Sequence, residues 1–234
     1  MSGAYTLRTD TLEAPTVPSK PPTRPDPPDL PAELERAAAD RPLVGFDLEC
    51  ALLEAADFTG QRASAVRFDE CKLNRVDFTG AELTAASFND VAVAAGSWAN
   101  VRTKELRIRR ATFRGVRMTG ADLAYSNLED VNFVDCRLDL SFFVNAKLNR
   151  VRFEQCRLDE VDFTDANLTS VAFDGCSLNR SVWADAVLTN CELRASDISG
   201  SAGLERLHGV RMPLDDVIAG AQDFARALGI EILD

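Results

Sequence analysis

A five-residue period runs without interruption from Phe46 to Ser201, and it leaves the chain very few ways to fold. With the large apolar residue of each unit as its centre, the centres run Leu48, Leu53, Phe58, Ala63, Phe68, Leu73 and Phe78, continuing through Phe133, Leu138, Phe143, Leu148 and Phe153 to Ile198. Of these 31 centres only Thr103 is polar, so the period belongs to the whole segment and not to a part of it. Two residues before each centre stands a small residue, as at Cys71, Val76, Ala81, Val131, Cys136 and Val151; only Phe46, Gln61 and Leu106 depart from Ala, Val, Cys, Ser or Gly. Positions two apart in an extended strand point the same way, so the small residue and the centre face inward together. The other three residues of each unit are left to turn and to meet water. A period of five fits neither a helix nor a long flat strand. What remains is a closed coil with short sides.

Units such as Ala121-Asp122-Leu123, Val131-Asn132-Phe133, Val161-Asp162-Phe163 and Ala166-Asn167-Leu168 follow one pattern: a small residue, Asp or Asn, then Leu or Phe. In this the sequence resembles the pentapeptide-repeat family over about two-thirds of its length. The resemblance implies an all-β fold, a right-handed quadrilateral β-helix with four units in each coil and about 8 coils in all. At ~4.8 Å per strand spacing such a rod is roughly 35 to 40 Å long.

Four units per coil make residues twenty apart vertical neighbours, and like side chains should then form columns. Phe113, Phe133, Phe153 and Phe173 form one column, and Phe143, Phe163 and Trp183 the opposite one, with leucines on the alternate sides. Nearer the N-terminus the aromatics change sides, to Phe58, Phe78 and Trp98 and to Phe68 and Phe88. The exchange falls between residues 98 and 113, beside Thr103, where the least regular coil is expected. Phe153→Asp should abolish folding, and Asp159→Ser, at an outward position, should matter far less.

Three regions follow: an arm over residues 1–45, the repeats over 46–201, and a C-terminal segment over 202–234. The arm holds nine of the ten prolines, whose fixed φ and missing N–H exclude helix or sheet over most of it. It reads as a largely disordered tail, with a proline-rich ligand as the alternative; Ala32 to Asp40 has helix-forming residues that could lie over the first coil. After the repeats, residues 213–229 read as one helix whose apolar face carries Val217, Ile218, Ala221, Phe224 and Leu228, and Ile230 to Leu233 as a short strand. That helix is expected to cover the open last coil, and it could also join two copies of the chain.

Little here suggests catalysis. The single histidine, His208, lies outside the repeats, and no phosphate loop, dinucleotide fingerprint or zinc-protease pair is present. No catalytic residue, cofactor or metal is expected. Cys136, Cys156 and Cys176 should stack in an inward column as packed thiols, since parallel strands do not converge thiols on a metal. The net charge of −11 would repel nucleic acid and could attract a protein that itself binds DNA. No run is long and apolar enough to span a membrane, and no export signal is legible, which points to the cytoplasm.

Two surface features stand out. Residues 101–120 carry Arg102, Lys104, Arg107, Arg109, Arg110, Arg114 and Arg117 against Glu105 alone. Vertical neighbours should pair Arg102 with Glu82 and Asp122, and Arg110 with Asp90 and Asp130, whereas Arg117, Arg137 and Arg157 form a like-charged column fit for an anion, unless the adjacent Asp139 and Asp159 neutralise it from the side. Leu140 and Phe142 stand at outward positions as a candidate contact patch, with Val182 two coils on. Two functions are open. With its uninterrupted repeat, negative charge and C-terminal helix the chain resembles the MfpA/Qnr-like subgroup, which would imply a dimer that imitates duplex DNA on DNA gyrase and alters its inhibition by quinolones. The alternative is a scaffold or regulatory protein with another protein partner.

Overall fold

The computed structural model describes residues 21–40 and 42–233. In it the repeats wind into a four-sided parallel β-helix of about 8 coils. The register is twenty residues throughout: Phe113, Phe133 and Phe153 are successive partners across adjacent strands, as are Leu128, Leu148 and Leu168. Two sides, which begin as residues 46–49 and 51–54, share one sheet of 12 strands. Its longest members, such as Ser87–Ala94 and Lys147–Glu154, turn the corner between those sides. The third side starts at residues 56–59 and the fourth at 61–64. The third is linked by single bridges, as at Arg117, Arg137 and Arg157.

The corners explain why five residues suffice for a side. Every multiple of five from 45 to 200 has a left-handed backbone, with φ between 46° and 69°. Gly, Asn and Asp tolerate that region best, yet they hold only 15 of these 32 corners. The ladder between coils therefore imposes the turn on residues such as Arg75 and Gln155, against a cost of about 1–2 kcal/mol each.

The interior is filled by the predicted columns. Phe133, Phe153 and Phe173 stack with ring centroids 5.0 Å apart, and Phe163 lies 4.6 Å from Trp183. Trp98 mediates the exchange of sides, touching Phe78 and Phe88 on one hand and Phe113 edge-on at 5.5 Å on the other. The irregular coil expected at Thr103 is not there. Leu83 and Thr103 stay in register, and the Thr103 hydroxyl donates to the Asp122 carbonyl at 2.9 Å, which makes a polar centre tolerable. What changes is the turn on the fourth side: from Leu123 onward the corner closes with a local bond, Ser126 N–H to Leu123 carbonyl, repeated after Phe143, Phe163 and Trp183.

Both ends differ from expectation. Ala32 to Asp40 contains no helix; Glu35–Arg36 is a strand that pairs with Ala51 and Leu52, one coil above the first. The exposed edge of coil one offers unpaired carbonyls, and Glu35 and Ala37 donate to those of Cys50 and Leu52, which outweighs helix propensity. The described part of the arm is also ordered against the solenoid. Pro21 to Pro25 lie beside Arg152, Asp174 and Arg194, Asp26 beside Asp130, and Asp29 beside Asp90, so the arm runs back along the corner between the first two sides. The rest of the expected disordered tail, residues 1–20, falls outside the described residues.

At the other end the single helix is two: α1 (Leu214–Ala219) and α2 (Ala221–Ala227), broken at Gly220 and preceded by a 3-10 turn at Leu204–Leu207. A Cβ at Gly220 would meet Phe224 at 3.1 Å and Ile198 at 3.3 Å, so the break lets the helix pair sit close on the last coil. Ile230 to Leu233 form no strand, since that coil's edge is already taken by Arg211, whose carbonyl accepts from Leu193 and whose N–H donates to Cys191.

Candidate interaction surface

A filled interior leaves the outside as the working surface. The inward thiols illustrate why. Cys136, Cys156 and Cys176 are buried, and each donates to a backbone carbonyl of the previous coil, at Phe113, Phe133 and Phe153, at 3.4 Å. Its neighbouring thiols and its burial push the Cys156 thiol up, and burial pushes Cys191 up to about 11. Cys156 and Cys191 are thereby held as neutral thiols, which are poor nucleophiles. Among the described residues no three His, Cys, Asp or Glu side chains are grouped to hold a metal.

The cationic coil is only partly neutralised. Arg102 pairs with Glu82 at 3.5 Å, and the Arg110 guanidinium forks onto Asp90, its Nε at 2.6 Å. Lys104, Arg107, Arg109, Arg114 and Arg117 are exposed and form no ion pair among the described residues. They lie on all four sides. The belt therefore rings the rod. In the column below, Arg117, Arg137 and Arg157 stack directly and are exposed. Among the described residues Arg157 alone is neutralised from the side, by Asp139 at 3.6 Å and Asp159 at 3.5 Å, and Arg117 and Arg137 form no ion pair.

Leu140 and Phe142 are 48% and 46% exposed, as their outward positions predict. Val182 does not extend the patch directly, because Asp162 is bridged between it and Phe142. The sequence reading missed Tyr125, 71% exposed at the far corner of the preceding coil, which adds an aromatic to the same side. Its corner position, normally polar, was the available signal.

The cap splits its predicted apolar face. Phe224 packs on the core, whereas Val217, Ile218, Ala221 and Leu228 face outward, Ile218 and Leu228 at 63% and 66% exposure. Two helix carboxylates finish the ladder: Asp216 accepts the Ala195 amide at 2.6 Å and Asp223 that of Gly200 at 3.1 Å. These are the corner N–H groups that a further coil would otherwise have taken.

Residues 51–90 match the family model of pentapeptide repeats, and residues 97–161 and 135–202 that of the pentapeptide repeat region. The chain belongs to the pentapeptide-repeat family. Among solved structures this pentapeptide-repeat protein is similar to a trypsin-treated variant of QnrB1, a plasmid-mediated fluoroquinolone resistance protein, at 19% identity over 80% of this chain and 100% of that one, with a TM-score of 0.39. It is similar as well to HetL, involved in heterocyst differentiation regulation in the cyanobacterium Nostoc sp. strain PCC 7120, at 15% identity over 73% and 89% of the two chains, with a TM-score of 0.30. A pentapeptide repeat protein of the Arabidopsis thaliana thylakoid lumen matches at 18% identity over 71% and 74%, with a TM-score of 0.21. No curated protein matches. Among the described residues no helix is long and apolar enough to cross a membrane.

Proposed function

We propose that the chain is a non-enzymatic protein-binding solenoid, a scaffold or regulatory partner that meets another protein through Tyr125, Leu140 and Phe142 and dimerises through its C-terminal cap. The observation that carries the scaffold reading is the ring of exposed cations that form no ion pair among the described residues: Lys104, Arg107, Arg109, Arg114 and Arg117 put positive charge on every side of one coil. A partner that expects the continuous negative potential of duplex DNA meets a break there whichever side it approaches. Arg117 and Arg137 then serve as an acceptor for an acidic segment of the partner. The outward Val217, Ile218, Ala221 and Leu228 support the dimer, because exposed apolar side chains grouped on one face are commonly covered by a partner. The proposed compartment is the cytoplasm, with no direct contact to nucleic acid.

A DNA-imitating modulator of gyrase linked to fluoroquinolone resistance is the second reading, and the net charge of −11 speaks for it. A gyrase supercoiling assay with the purified full-length protein, with and without a fluoroquinolone, separates the two. The scaffold reading expects no effect at micromolar protein; inhibition of supercoiling, or protection from the drug, would replace it with the gyrase reading. Light scattering on the eluting protein tests the cap. Dimeric parent and monomeric Ile218→Glu/Leu228→Glu, both folded, are expected, and a monomeric parent removes the dimer.

A further inference from the structure

The corner between the first two sides carries a column that neither the repeat nor the proposed contacts require. Asp90, Arg110, Asp130 and Arg150 stack at intervals of twenty, acid and base alternating. Each arginine forks back onto the acid of the previous coil: Arg110 onto Asp90, and Arg150 onto Asp130 with two contacts of 2.7 Å, its Nη2 also reaching Glu129 at 2.7 Å. Both acids are almost fully buried, at 2% and 4% exposure, although corners normally face water. The arm is laid against them. The Asp29 amide donates to Asp90 Oδ1 at 2.9 Å and the Asp26 amide to Asp130 Oδ1 at 3.2 Å.

The spacing of these two bonds is set by matching pitches. The acids are two coils apart, about 9.6 Å at ~4.8 Å per coil. Asp26 and Asp29 are three residues apart, and three residues of a polyproline II helix rise about 9.3 Å. The difference is a few tenths of an ångström. Over residues 21–31 burial follows the same period, Pro22, Pro25, Pro28 and Pro31 each being partly buried, with Leu30 the one partly buried residue off it. One edge of a three-residue helix therefore lies on the solenoid, and the non-proline residues supply the only N–H groups that can reach the acids. Between residues 21 and 31 no strand ladder ties the arm down. Hydrogen bonds donated by backbone amides to ionised, arginine-clamped carboxylates are charge-assisted and depend on position, which suits recognition of a segment by its register.

We propose that the Asp90–Arg150 corner is a recognition site for polyproline II segments of Pro-x-x-Pro register, and that residues 21–31 are its ligand in cis, held reversibly. The site reads the three-residue pitch through its two-coil acid spacing. It lies apart from the fourth-side patch and from the cap.

The test uses full-length protein throughout. Hydrogen exchange is expected to show the Asp26 and Asp29 amides protected in the parent and unprotected in Asp90→Ala/Asp130→Ala, with the amides of Phe133 and Phe153 unchanged. A fluorescent peptide of residues 21–31 is then titrated against Pro25→Gly/Pro28→Gly, whose own arm is weakened outside the core. Binding is expected there, and about tenfold or more weaker binding when Asp90→Ala/Asp130→Ala is added. A peptide with Asp26→Pro and Asp29→Pro keeps the polyproline helix but loses both donors, and it is expected not to bind. An unprotected parental arm overturns the proposal. So does a peptide that fails to bind the weakened variant, or one that binds with and without the acids or the donors alike.

Discussion

Phe133 and Phe153 are twenty residues apart in sequence and lie face to face, their ring planes within 6° and their centroids 5.0 Å apart. That one relationship carries the fold. It makes the interior a set of aromatic and aliphatic stacks in which each ring touches the ring above and below. Phe153 is wholly buried.

Replacement of Phe153 by Ala should cost about 3–5 kcal/mol, read from denaturant melts, because the stack cannot collapse into the hole. Phe153→Asp should leave no cooperative transition, since it buries a charge with no partner. A Phe153→Asp protein that melts like the parent would show that this column is not the core.

The two tryptophans should respond differently. Trp183 Nε1 donates to Ser181 Oγ at 2.8 Å, whereas Trp98 Nε1 is buried with no acceptor among the described residues. The slot that Ser181 fills is Gly96 beneath Trp98, and a Cβ there would meet the Val76 carbonyl oxygen at 2.5 Å. Trp98→Phe relieves an unsatisfied donor, while Trp183→Phe breaks a bond. Trp98→Phe should therefore be the milder change by about 1–3 kcal/mol in chemical denaturation. Equal losses would mean that Trp98 finds an acceptor in solution.

Asp159→Ser should matter far less than Phe153→Asp, yet more than a change at a fully exposed outward position. Its carboxylate accepts from the Ser177 hydroxyl, and from the Asn179 amide and side chain at 3.2 Å each. Burial opposes its ionisation, but these donors and Arg157 outweigh it and hold its carboxyl below the ordinary value. A loss of about 1–3 kcal/mol in urea is expected, against almost none for the exposed Arg137→Ser. Identical midpoints for the two variants would refute this.

Docking of the arm should fail only in strong acid. Burial disfavours the charge on Asp90 and Asp130, yet the Arg110 and Arg150 guanidinium groups, the Asp29 and Asp26 amides and nearby Arg109 hold both carboxyls below 3.8. A depressed carboxyl stabilises the folded state above its unfolded pKa, and the gain disappears as pH falls through the folded value. Amide spectra of Asp26 and Asp29 should thus be constant from neutral pH down to the ordinary carboxyl range and change below it. A transition near pH 6 would point to another group.

The corners show where legibility stopped. The repeat exposes which residues face inward, because burial is a property of the period, and Leu140 and Phe142 could be placed outward on that ground alone. It does not expose what an outward residue touches. Asp159 finds donors 18 and 20 residues later, whereas the pairing of Arg110 with Asp90 was legible because identities compared down a column already place acid beneath base. Tyr125 was passed over because corners usually carry small or polar residues.

By itself the sequence determined an inward-facing period of five and hence a closed coil; four units per coil is what the resemblance to the pentapeptide-repeat family implied, and vertical neighbours follow from it. The tertiary structure alone decided the ends and the outer surface. Ala32 to Asp40 had helix propensity but met a strand edge with unpaired carbonyls, and residues 213–229 had one helical face but met a last coil that a broken helix fits more closely. The prolines were legible as a run. Their three-residue pitch became meaningful only against acids two coils apart, because a docking register is a match between two periods and either one alone is silent.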